Sequence, residues 1–298
     1  MRFDQLRYLD AAVRTGSMRR AAAETGVSQP TVTQQIQRLE EELDVVLLVR
    51  RPSGVAPTDA GLALLPHVRQ ALQAENGLHQ EASALSGLHR GRLRLGTIPM
   101  ASQLFVPRTV KRFREAYPRV AFEVTEAGSG GVRDGLMSGV LELGVLARWK
   151  SAPPASGLRV HDLLEGQVRI CVPVGHRLQG RQSVVTADLA GEAFVVVERG
   201  QLLREVFERI AATVEVTAIY QTNASESARR IVDAGVGISV QGGFGAEQAD
   251  PSTSLLLDEP WAQVAIAVAQ RRDEMPTPAM KVFLALVREE ASQSVLTV

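Results

Sequence analysis

Cysteine, lysine and aromatic residues are all scarce in this chain. With one cysteine, Cys171, no disulfide can form within the 298 residues, and its place in the apolar run VRICVPV predicts a buried strand thiol. Aromatic residues make up 4 % of the chain. Lysine is confined to Lys111, Lys150 and Lys281, so arginine carries nearly all the positive charge, as GC-rich coding would produce. No stretch approaches the roughly 18 to 20 consecutive apolar residues of a membrane span, and MRFDQLRYLD lacks the apolar core of a secretory leader, so a cytoplasmic protein is expected. Net charge is also missing, because 33 basic residues balance 33 acidic ones. Bulk attraction to a polyanion is thereby excluded, but local attraction depends on where the cations sit. His67, His79 and His89 are too scattered for a metal site. No G-x-S-x-G elbow, phosphate loop or acid pair supports catalysis, and no cofactor is expected.

What remains is an ordinary globular composition, 45 % hydrophobic and 22 % charged, long enough for more than one domain. At the N-terminus, Phe3, Leu6, Leu9 and Val13 recur at three- and four-residue steps, the apolar face of a helix that Gly16 stops. Ser17 caps a short alanine-rich helix, MRRAAAET, in which Ala21 and Ala22 allow a neighbour to approach closely. After a turn at Thr25-Gly26-Val27, Ser28 caps a third helix, with Pro30 tolerated in its first turn. Val32, Ile36, Leu39 and Leu43 form its inward stripe.

The outward face of that helix carries the chemistry. Thr31, Thr33, Gln34, Gln37 and Arg38 offer hydroxyls, amides and a guanidinium, and acidic residues are delayed until Glu40, Glu41 and Glu42. Such a helix can enter the major groove N-terminus first, with amides on adenine edges and hydroxyls on phosphates. VLLVRRPSGVAPT then reads as two short strands around Pro52-Ser53-Gly54, a wing with Arg50 and Arg51 at its base. The predicted DNA-contacting set is Ser28, Gln29, Pro30, Thr31, Thr33, Gln34, Gln37, Arg38, Arg50, Arg51 and Ser53.

The G-S-x-x-x-A-A start of the second helix, the S-Q-P entry to the third, its I-x-x-L-E-E-E-L body and the T-D-A-G that follows the wing resemble the N-terminus of LysR-type transcriptional regulators. In that family serine-arginine often stands where this chain has Thr33-Gln34, and glycine where it has Asp44. Asp tolerates the left-handed turn, and Gln34 implies an altered base preference.

Thr58 is placed to cap a long helix to about Ser86. Leu64, Val68, Ala71, Glu75, Leu78, Ala82 and Leu85 step by four and three, a heptad seam with one polar member that calls for a second helix. Dimerisation is the expected use, which resembles the family's paired linker helices. Pro66 implies a bend near Leu62 to Pro66, or else a helix that begins there.

From Gly91 onward, strands (RLRLGTI, VAFEVTE, LELGVLA) alternate with helices (FVPRTVKRFREAY, VRDGLMSG), which implies parallel pairing. A second set follows with strands VRICVPV, FVVVE, VEVTAIYQ and GVGISV, and WAQVAIAVAQ and the helix PAMKVFLALVREE close the chain. The fold class is therefore mixed: an all-α winged helix-turn-helix (1–57), a linker helix (58–88), and a two-lobed α/β body (91–298). Lobe I covers about 91–159 plus 264–298, and lobe II about 160–263. The body resembles the family's effector domain, shaped like a type 2 periplasmic binding protein.

Ligands of open sheets lie beyond the carboxyl ends of strands. Strand-to-helix turns place Thr97, Met100, Ala101, Ser102, Gly128, Ser129 and Gly130 there in one lobe. Arg199, Gly200, Gln201, Asn223, Ala224 and Ser225 do so in the other, with Arg148 and Trp149 at the crossover. Helix N-termini favour anions, so a small carboxylate is the expected effector. A ligand-responsive regulator is thus expected, binding operator DNA as a dimer or dimer of dimers, with RNA polymerase a further partner when it activates. An enzyme with a DNA-binding appendage, a solute-binding component and an architectural DNA protein are the alternatives; the first would need catalytic chemistry, the second an export signal, and the third has no need of a pocket.

Overall fold

The computed structural model describes residues 1–51, 54–85, 91–244 and 252–296, with backbone alone at 50, 80, 81, 83–85, 91, 295 and 296. It divides into two units, residues 1–91 with 137–140, and residues 92–136 with 141–298.

The first unit opens with α1 (Phe3–Thr15), α2 (Met18–Thr25) and α3 (Gln29–Leu43). Each expected cap forms: Ser17 accepts from the Arg20 amide, and Ser28 from the Thr31 amide. Asp44 ends α3 in the left-handed region, at φ 53. The helices close over Leu6, Leu9, Ala12, Ala21, Ala22, Val32, Ile36 and Leu39. Two expected members lie outside this core: Phe3 is 46 % exposed and Leu43 39 % exposed. Small alanines bring α1 and α2 together, so α1 buries Ala11 and Ala12 instead of its first turn. Strands β1 (Leu48–Arg51) and β2 (Gly54–Pro57) pair antiparallel as the wing. Gly54 tolerates no side chain, since a Cβ there would lie 2.1 Å from the Gly16 carbonyl oxygen.

Thr58 caps α4 (Asp59–Leu85), its hydroxyl accepting from the Gly61 amide at 2.9 Å. The helix runs unbroken through Pro66, so a start at that residue is excluded. The seam is divided in its use, which corrects the expectation that only another helix covers it. Leu64, Val68 and Ala71 pack on the core of their own head. The Arg69 guanidinium meets Asp10 at 2.7 Å, and Glu75, the polar member, accepts from Arg7 at 2.7 Å. Farther along, Leu78 is 71 % exposed.

In the second unit, lobe I begins with β3 (Gly91–Thr97), α5 (Pro99–Leu104), α6 (Val106–Ala116), β4 (Val120–Glu126), α7 (Ser129–Met137) and β5 (Leu143–Trp149). The long β6 (Leu158–Cys171) leads into lobe II, built of β7 (Ser183–Val184), β8 (Ala193–Val197), α8 (Leu202–Ala211), β9 (Thr217–Thr222), α9 (Ser225–Asp233), β10 (Ile238–Gly243) and β11 (Ser254–Leu257). The return is β12 (Gln263–Arg271), followed by α10 (Pro278–Leu296).

The main path of the sheet runs β4-β3-β5-β12-β6-β10-β8-β9. Parallel pairing holds for β3 with β5 and for β8 with β9 and β10. It fails at the centre, where β12 is antiparallel to both β5 and β6, and β10 to β6. Of the expected strand VRICVPV, only VRIC lies in β6, as its last four residues. The first part of β6, LRVHDLLEG, shows no regular alternation of buried and exposed residues. The main apolar cluster of one lobe surrounds Phe105, Phe113 and Phe283 and that of the other Phe194, Val206 and Ile210, with smaller clusters around Val132 and Leu136 and around Cys171 and Ala228. Among the described residues no helix is long and apolar enough to cross a membrane.

Beyond the end of β12, Glu274 is packed among Arg271, Glu142, Asp273 and Arg94, and burial pushes its carboxyl up to about 7. Arg271 Nη2 lies 3.2 Å from its Oε2 and offsets part of that shift. The native state therefore holds a proton that the unfolded chain releases above its ordinary value of 4.5. Stability contributed by this group is full below that value and is lost as pH rises to about 7. Between these two pH values wild type should lose about 3 kcal/mol of stability, read by urea unfolding, that Glu274→Gln does not lose; matching pH profiles would contradict the assignment.

Candidate functional site

On α3, Ser28, Gln29, Pro30, Gln34, Gln37 and Arg38 are exposed, and Thr31 and Thr33 half-buried. The helix buries Val32, Ile36 and Leu39 on its opposite side, which forces this polar face outward. The Ser28 hydroxyl lies 2.8 Å from that of Thr31, so the cap also orients the first hydroxyl of the face. Arg38 carries no ion-pair partner among the described residues and is open to a phosphate. Arg51 lies on β1 and is exposed. Arg50 is described as backbone of the same strand, and Ser53 lies outside the described residues.

Within the second unit the cleft candidates fall into three groups. Gly128, Ser129, Gly130, Gly200 and Gln201 meet where the lobes face each other: the Gly130 amide donates to the Gly200 carbonyl at 2.9 Å. Approach is tight, since a Cβ on Gly128 would lie 2.7 Å from that same oxygen. Ser129 Oγ accepts from the Ala147 amide at 3.1 Å and fixes the start of α7, and Gln201 Nε2 donates to the Asn223 carbonyl at 3.0 Å. One of the first amides of α7, expected to greet an anion, is thus engaged by the facing lobe. Met100 reaches toward Gly242, the buried Thr97 hydroxyl donates to the Ile98 carbonyl, and Ala101 is fully buried. Ala224 stands as the cap residue of α9, and the buried Ser225 gives its carbonyl to Gln241 Nε2.

Other candidates are committed elsewhere. Ser102 lines an open groove of 640 Å³ beside β4, with Val106, Val110, Lys111, Arg114 and Val124, and no other candidate lines it. Arg148 spends its guanidinium on both Asp162 oxygens, at 3.1 and 3.0 Å, and on the Ala152 carbonyl. Trp149 Nε1 donates to Glu205 at 3.0 Å, and its ring packs edge-on to Trp261 with centroids 5.8 Å apart. The Arg209 guanidinium caps that pair, 4.5 Å from the Trp261 ring. Arg199 is exposed and lies 3.5 Å from Glu208.

A winged helix-turn-helix presenting an amide-rich helix, followed by a two-lobed α/β ligand domain, defines a DNA-binding transcriptional regulator. Residues 3–62 match the bacterial regulatory helix-turn-helix protein model of the lysR family, and residues 86–292 match the LysR substrate binding domain. The chain belongs to the LysR family of transcriptional regulators, whose members are regulators rather than enzymes. Among relatives, the DNA-binding transcriptional dual regulator OxyR of Escherichia coli (strain K12) is 30 % identical over 80 % of this chain and 78 % of its own. The uncharacterized HTH-type regulator YybE of Bacillus subtilis (strain 168) is 26 % identical over 95 % of this chain and 97 % of its own. In fold, a full-length OxyR variant from Pseudomonas aeruginosa superposes with a TM-score of 0.72 at 20 % identity, covering 100 % of this chain and 95 % of that one.

Several residues that contribute to the structure carry little or no signal in the sequence pattern. Arg19 is exposed on α2 and has no ion-pair partner among the described residues. Glu205 and Arg209 on α8 gave no pattern beyond helix amphipathicity. Phe244, just after β10, packs against the apolar clusters of both lobes; the pair Gly242-Gly243 before it was the available signal. Glu40, the first acid after the polar face, accepts at Oε1 from the Leu47 and Leu48 amides at 2.7 and 3.1 Å and anchors the wing to α3. Glu40→Ala leaves two amides short of a partner and should destabilise the head by about 1–3 kcal/mol, read by urea unfolding, with weaker operator binding. A change below about 0.5 kcal/mol, the usual range of an inert surface substitution, would contradict that anchoring role.

Proposed function

We propose that this chain regulates transcription in the cytoplasm by binding a two-fold symmetric operator as a dimer or dimer of dimers, with a small carboxylate in the interlobe cleft as its signal. The observation that carries the reading is the outward face of α3, in which amides and hydroxyls from Ser28 to Gln37 precede Arg38, unpaired among the described residues, and no acid intervenes. Repeated heads demand repeated half-sites. The exposed part of α4 around Leu78 supports pairing of two chains, and RNA polymerase is the partner when the outcome is activation.

A carboxylate fits because the closed cleft already presents an amide to an oxygen. The Gly130 N–H meets the Gly200 carbonyl, and an anionic oxygen at the start of α7 can take that place. Ligand would then part the lips, shift the balance between lobe arrangements and alter the spacing of the heads. Some relatives are named hydrogen peroxide-inducible genes activators. In this chain the one cysteine is buried on β6, where burial pushes the thiol's pKa up, and no disulfide can form within the chain, which does not favour a thiol as its sensor.

Gln29→Ala or Thr33→Ala should weaken operator binding by about 1–3 kcal/mol each while sparing unrelated DNA; equal losses on both would reduce them to phosphate contacts. Arg38→Ala should weaken both DNAs alike and reduce the salt dependence by about one counterion. Footprints and bend angles that stay unchanged at saturating ligand would overturn the ligand-responsive part.

A further inference from the structure

Phe244 is the residue whose place in the cleft the function above leaves unexplained. It follows β10, the strand whose carboxyl end faces lobe I, and its half-buried ring touches the apolar cluster of each lobe. The surface beneath the ring is bare backbone. A Cβ on Gly166, at the middle of β6, would lie 2.7 Å from the ring's Cδ1, and one on Gly242 would lie 2.8 Å from its Cε2. Met100, on the first strand-to-helix turn of lobe I, brings its Cε to 4.0 Å from the same Gly242 position. Glycines at these two positions therefore form a flat apolar seat of the size of one aromatic ring, and the chain fills it with its own side chain.

We infer that Phe244 is the specificity-determining residue of the effector cleft: its ring occupies the seat of a planar group, so the cleft accepts only effectors small enough to lie beside it. The inference rests on the reading of the cleft as the effector site. Its physical basis is steric. Side chains and ligands compete for the same apolar volume, and an apolar cavity of ring size left inside a protein takes up a ring from solution.

Acetate and phenylacetate, which differ by a phenyl ring, test this by calorimetric titration of the full-length wild type, Phe244→Ala and Phe244→Leu. Phe244→Ala should bind phenylacetate at least tenfold more tightly than wild type, with acetate unchanged. Phe244→Leu, which keeps most of the packing, should show a smaller gain in the same direction, and it carries the test if the alanine variant does not fold. Equal phenylacetate affinity in wild type and variants would overturn the assignment, as would a gain for acetate as large as that for phenylacetate. Operator footprints recorded on the same samples separate this inference from the one it rests on: tight phenylacetate binding with an unchanged footprint supports the role of Phe244 and counts against the cleft as the regulatory site.

Discussion

Everything in the second unit hangs on the antiparallel pairing of β6 with β12. Gln263 to Arg271 pairs with Gln167 to Leu158, and the other half of β6 pairs with β10 and β11. One strand therefore belongs to both lobes, and the backbone hydrogen bonds at its centre cannot break without exposing polar groups on two cores at once. Such a strand can twist or bend, but it holds the carboxyl ends of β3, β4, β8 and β9 on opposite sides of one cleft. The Trp149–Glu205 bond and the Arg209–Trp261 contact add a polar and aromatic tie at the end of β5.

The head follows a different logic, in which short polar contacts fix angles that a small core leaves loose. Glu40 ties the wing to α3, and Arg69 with Asp10 and Arg7 with Glu75 tie α4 to α1. The Arg69–Asp10 pair is nearly buried, so removing either partner strands a charge. The near half of α4 is thus part of the head, and the linker helix begins to be available to another chain only farther along, near Leu78.

Much of this was legible in the residues. Caps at Ser17, Ser28 and Thr58, the left-handed Asp44 and the polar face of α3 follow from local chemistry, which short-range spacing reports faithfully. The central antiparallel strands were not legible, because alternation of strands and helices suggests parallel pairing and says nothing of a strand that serves two lobes. The seam of α4 misled for a related reason: a heptad shows that an apolar stripe needs cover but not which surface supplies it. In the cleft, the glycines and small residues at the turns were found, but their use was not. Helix N-termini advertise free amides in a sequence, and only the fold reveals that Gly200 has answered one of them.

The cleft between the lobes is closed where the Gly130 amide meets the Gly200 carbonyl, and Phe244 packs on the apolar clusters of both lobes. Under the proposed reading of this cleft as the effector site, an effector replaces contacts that the chain makes with itself, and Phe244 limits its size. Hydrogen exchange at the Gly130 amide measures this most directly, in the full-length protein free of ligand. The closed cleft predicts exchange slowed at least tenfold relative to an unstructured glycine amide, an opening cost of at least about 1.4 kcal/mol; exchange at the unstructured rate would contradict it.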